Sequence, residues 1–92
     1  TTGIRGSTMT LANEGAKHGI TVNAVAPGYV ETRNTAPIRA DEERRDSITA
    51  RIPAGRWALP EDVAPTVVFL ASAAADYLHG TVVAVDGGWL GR

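Results

Sequence analysis

Two apolar runs, Ile20-Thr21-Val22-Asn23-Ala24-Val25-Ala26 and Thr81-Val82-Val83-Ala84-Val85, stand far apart in the chain, and each follows a stretch with helical spacing. Both are rich in β-branched and small residues and carry too few charges for a surface strand, so they read as buried strands. A helix ahead of each favours a parallel arrangement. Two such strands make a poor sheet alone, because each edge leaves backbone groups unpaired and an apolar strand wants neighbours on both sides. The sheet is therefore expected to continue in residues outside this sequence.

The rest of the order follows from spacing and punctuation. Ile4, Thr8, Leu11 and Ala12 fall at i, i+4, i+7 and i+8, one face of a helix that Lys17, His18 and Gly19 would end. Pro27-Gly28 cuts off the first strand. Tyr29 to Ile38 is turn-like, and Asp41 is placed to cap a charged helix through Arg51 that Pro53 stops. A connector with Pro53, Gly55 and Trp57 leads to Pro60-Glu61-Asp62, a good helix opening, after which Val63, Val67, Leu70 and Ala71 repeat on one face. Pro65 predicts a kink or a later helix start. Asp76 to Gly80 reads as a turn, and Asp86-Gly87-Gly88 closes the second strand.

Composition narrows the function. Nine basic against ten acidic residues give a net charge of -1, so no basic surface awaits nucleic acid or an anionic membrane. The absence of cysteine excludes disulfides, thiolate metal sites and thiol nucleophiles. No run of eighteen apolar residues and no basic-apolar leader occurs, which points to a soluble, intracellular, cytoplasmic protein. The chain opens Thr1-Thr2-Gly3 and its single methionine is Met9, so a processed start or a piece of something longer is expected.

Three segments carry a resemblance: "LANEGAKHGITVNAVAPGYVET", "IPAGRWALPEDVAPTVVFLAS" and "GTVVAVDGGW" together resemble the C-terminal portion of a short-chain dehydrogenase/reductase. "RADEERR" ahead of "RIPAGRW", with the ending "VDGGWLGR", is similar to the branch that oxidises 2-deoxygluconate or reduces a keto-deoxy-uronate. The implied fold class is α/β: the C-terminal portion of a Rossmann-type doubly wound parallel sheet, two parallel strands with flanking helices, its N-terminal strands missing. Residues 1–92 would form part of one such domain, with 29–59 as substrate flap and connector. The family's active members use a tyrosine, a lysine four residues later and an upstream serine, and bind the dinucleotide through a glycine-rich turn. Aligning the family's glycine with Gly3 puts Thr1 at the lysine position, so no catalytic residue is expected in this chain.

The resemblance also assigns a site. NAD or NADP is the implied cofactor of the complete enzyme, with weak or no binding by this chain alone. Pro27 and Gly28 would shape a turn in which the Val30 backbone pairs with the nicotinamide carboxamide and the Thr32 hydroxyl adds a bond. Tyr29, Arg33 and Asn34 would meet a small hydroxylated substrate, Arg33 suiting an acidic sugar. Taken without the family, a Pro-Gly after a strand is simply a turn. Arg56 and Trp57 read as anchors of the connector, Asp86-Gly87-Gly88 as a tight turn, and His18 and His79 as surface residues without metal-ligand spacing. Trp89 and Leu90 are too apolar for a solvated tail and are expected against another subunit of a homo-oligomer. A non-catalytic assembly or ligand-binding remnant of the same fold is the alternative.

Overall fold

The computed structural model describes residues 2–92. In chain order it contains α1 (Thr2–Ala16), β1 (Ala24–Pro27), a 3-10 turn (Arg33–Thr35), α2 (Ala36–Ala40), α3 (Glu42–Arg51), α4 (Pro60–Leu70), a second 3-10 turn (Ala73–Ala75), β2 (Val82–Val85) and a third (Trp89–Gly91). Thr1, which the resemblance aligns with the family's lysine, lies outside the described residues. Among the described residues no helix is long and apolar enough to cross a membrane.

Both strands are parallel and shorter than expected. Gly80 N–H donates to the Val22 carbonyl, Ala24 N–H to Thr81 and Gly28 N–H to Val85, a register that climbs together along both strands. At Asn23 the side chain replaces the ladder. Its amide donates to the Leu78 carbonyl at 3.0 Å and its oxygen accepts Thr81 N–H at 2.9 Å, so regular pairing starts at Ala24 and not at Ile20. The strand residues are half-buried, with Pro27 and Ala84 exposed, where full burial is expected.

The contacts divide the chain into two units. One comprises the chain up to Ala26 together with Pro65–Val83. In it α1 runs as its spacing predicts, but the face is narrower: Thr8 and Ala12 are buried, while Ile4 and Leu11 remain exposed. The buried Thr8 hydroxyl donates back to the Ile4 carbonyl at 2.7 Å, which satisfies it inside the helix. The α4 residues Val67, Val68 and Phe69 are exposed, against the expectation that Val67 lies on a packed face.

The other unit comprises Pro27–Ala64 and Ala84–Arg92. Its core is Ile48, Ile52 and Trp57, with Tyr29, Ile38 and Trp89 packed against it. Asp41 caps α3 by accepting Arg44 N–H at 3.2 Å, as expected from its position ahead of Glu42 and Glu43. Ahead of it the turn-like segment folds further than expected, into a 3-10 turn and α2. Trp57 anchors the connector: its indole N–H donates to the Thr49 hydroxyl at 3.0 Å, and that hydroxyl donates to the Arg45 carbonyl at 2.8 Å. The α4 helix begins at Pro60 itself and contains Pro65, so the later start does not occur.

The tail departs from expectation at one residue. Trp89 packs on its own chain, its ring 5.1 Å from that of Tyr29, with the Arg92 guanidinium 3.9 Å over it. Leu90 is exposed. Asp86 holds the turn, its carboxylate accepting Gly88 N–H at 3.0 Å and Leu90 N–H at 3.1 Å; with both oxygens bonded this way, it serves the turn.

Candidate functional site

Within the second unit, the chain after β1 stays extended long enough to pair once more. Ala58 N–H donates to the Tyr29 carbonyl at 2.9 Å and Glu31 N–H to the Ala58 carbonyl at 2.8 Å, a parallel bridge centred on Val30. Successive backbone groups of an extended chain point to opposite edges. With Tyr29 C=O and Glu31 N–H turned toward Ala58, the N–H and C=O of Val30 face the other way. Among the described residues the Val30 N–H has no partner.

That edge opens into a groove of about 550 Å3 lined by Pro27, Gly28, Val30, Thr32, Asn34 and Thr35 on one side and by Pro60, Val63 and Ala64 of α4 on the other. The four residues assigned to the cofactor therefore lie in one groove, joined by Asn34. Tyr29 does not join them. It alternates to the opposite face, with its ring 5.1 Å from both Trp57 and Trp89. Arg33 is exposed and lies outside the groove lining. The expected substrate trio is thus split, and only Asn34 shares a surface with the cofactor residues.

Gly28 explains how the turn fits. A β-carbon there would lie 2.9 Å from both the Cα and Cβ of Asp86, closer than atoms can approach. Two residues that sequence reasoning passed over fix the far side. The Thr35 hydroxyl donates to the Val30 carbonyl at 2.7 Å and accepts Thr32 N–H at 3.0 Å. Arg39 donates to the Thr32 carbonyl at 2.8 Å. The available signal was the i, i+4 spacing of Thr35 and Arg39.

Arg56 forks onto Asp62 with bonds of 2.8 and 3.1 Å, and Asp62 also accepts Leu59 N–H at 2.7 Å. The Arg56 hydrogen bond, followed by the Leu59 N–H, holds the Asp62 carboxyl down to about 2, and the same hydrogen bond raises Arg56. The pair ties the connector to the first turn of α4, which matches the anchoring expected of Arg56 and leaves the groove lining free of it.

A groove beside the Pro-Gly turn at the carboxyl end of a parallel strand is the setting in which open α/β sheets take their ligands. The chain belongs to the short-chain dehydrogenase/reductase family: the family model described as enoyl-(acyl carrier protein) reductase matches residues 2–90. It is 59% identical over 90 residues to the 2-dehydro-3-deoxy-D-gluconate 5-dehydrogenase of Escherichia coli (strain K12), covering 98% of this chain and 36% of that protein. Among solved structures it is similar to an Agrobacterium tumefaciens protein provisionally described as 2-deoxy-D-gluconate 3-dehydrogenase, with bound NADP, at 60% identity and a TM-score of 0.94; the match covers 98% of this chain and 37% of that one. A gluconate 5-dehydrogenase from Burkholderia cenocepacia J2315 in complex with NADP and tartrate matches at 36% identity and a TM-score of 0.93, over 97% of this chain and 35% of that one. The chain thus spans about a third of the length of these relatives.

Proposed function

We propose that this chain is the nicotinamide-binding and substrate-side portion of an NAD(P)-dependent dehydrogenase acting on a sugar acid or a related alcohol or ketone. The observation that carries the reading is the Val30 N–H, unpartnered at the groove edge beside Pro27, Gly28 and Thr32. A carboxamide offers one acceptor and two donor hydrogens. Val30 N–H meets its oxygen, while the Thr32 hydroxyl and the remaining lone pair of the Val30 carbonyl take its N–H groups. Fixing the amide selects which ring face is presented; when bound, the cofactor supplies the hydride chemistry. Asn34 borders the substrate end. Relatives with bound NADP and with sugar-acid names support the cofactor and the substrate class.

The sequence contains neither a Gly-x-Gly-x-x-Gly nor a Tyr-x-x-x-Lys, which supports placing it in the C-terminal third of the family fold, with those motifs in residues outside it. Its own tyrosines do not substitute for the acid-base residue: Tyr29 packs with tilted and edge-on geometry against two tryptophans and Tyr77 is 98% exposed. The chain alone is accordingly a binding segment without turnover. Exposed Val67, Val68 and Phe69 favour a second role, assembly with further copies.

The test is Thr32→Val, which removes the hydroxyl and keeps the shape. In the protein carrying this sequence it should weaken NADP about fivefold, the worth of one hydrogen bond. Unchanged affinity for NADP and NAD alike would remove the groove from cofactor binding.

A further inference from the structure

The turn that meets the carboxamide is held from behind by two side chains. Thr35 opens α2 and Arg39 stands one helical turn later, so both reach back over residues 30–32. The Arg39 guanidinium donates to the Thr32 carbonyl at 2.8 Å and through Nε to the Thr35 hydroxyl at 3.4 Å. That hydroxyl in turn donates to Val30 C=O and accepts Thr32 N–H. These bonds occupy the Thr32 backbone groups and one lone pair of Val30, leaving the Val30 N–H for a ligand. Arg39 is half-buried, whereas Arg33 and Arg44 are exposed.

We infer that Arg39 is a positioning residue for nicotinamide recognition: through Thr32, and through Thr35 onto Val30, it sets the angle at which N–H and hydroxyl meet the carboxamide. The inference rests on the groove reading given above. A planar guanidinium serves two acceptors with one rigid fork. Lysine reaches the Thr32 carbonyl with a single ammonium and cannot reproduce the second bond in the same plane. The order Arg, Lys, Met therefore grades the clamp without altering any group that touches the cofactor.

The experiment compares two probes on the protein carrying this sequence, by calorimetric titration: NADP, and 2′-phospho-ADP-ribose, which is the same dinucleotide without its nicotinamide ring. Wild type should bind NADP more tightly. Arg39→Met should weaken NADP about five- to tenfold and leave 2′-phospho-ADP-ribose within about twofold, as expected for lost charge-assisted bonds at one end of the ligand. Arg39→Lys should recover part of the loss. If Arg39→Met does not fold, Arg39→Lys decides, with a loss of about two- to fivefold confined to NADP. Equal losses for both probes, or none for NADP, overturn the role of Arg39. A wild type that binds both probes equally instead overturns the groove reading, and the role of Arg39 with it.

Discussion

Gly28 and Asp86 approach so closely that a β-carbon on the glycine would sit 2.9 Å from the aspartate Cα. The neighbour is backbone, so no side-chain rotation relieves the clash. Gly28→Ala should therefore destabilise by about 2 kcal/mol, in the range of overpacked sites. Urea denaturation measures the loss, and a midpoint unchanged from wild type would show that the turn yields freely.

Ile48 is 3% exposed and packs with Ile52 and Trp57. Ile48→Ala should cost about 3 kcal/mol through lost burial and the cavity left behind. Equilibrium unfolding followed by tryptophan fluorescence reads it, and a loss no larger than a surface substitution gives would contradict the core assigned here.

The depressed Asp62 carboxyl gives a pH dependence with a fixed sign. Its folded value is about 2 against an ordinary 3.8, so its stabilising contribution is fully present above that ordinary value and is lost as pH falls through 2. A carbon-13 titration of the carboxyl should show the low midpoint, and Arg56→Met should move it back up toward 3.8. An unmoved midpoint would mean that Arg56 is not the cause.

Val67 and Val68 are 51% and 68% exposed on α4. Replacing both by serine should change folding stability by no more than about 0.5 kcal/mol per site, as for surface positions generally. Self-association measured by sedimentation should fall. An unchanged assembly would take α4 out of any interface.

The sequence carries the helix boundaries best where one residue does one job. Asp41 starts α3 and Pro53 follows its end, because a cap and a missing N–H act locally. The Pro27-Gly28 turn and its groove partners Val30 and Thr32 were legible through the family resemblance and lie together in the structure. What spacing could not show was the Val30–Ala58 bridge, since the connector around Pro53 and Gly55 has no alternation to mark a strand. Without that bridge the opposite facing of Tyr29 and Val30 is invisible in the sequence. Trp89 shows a similar limit: apolarity in a tail predicts burial, not the surface that provides it. Along α1, i, i+4 spacing identifies a face, and the number of elements over it decides how much is covered.

The chain has two tryptophans, and both touch Tyr29, the residue next to Val30. Its intrinsic emission is consequently a local optical probe. Indole fluorescence reports the unit that contains the Pro27–Thr35 groove, with Arg92 close over the Trp89 ring as a charge to which that emission responds. Far-ultraviolet dichroism, by contrast, draws much of its signal from α1 in the other unit. Recording both during one denaturant series separates the melting of the two units without any label, and a shift in emission alone on adding cofactor would mark events at the groove.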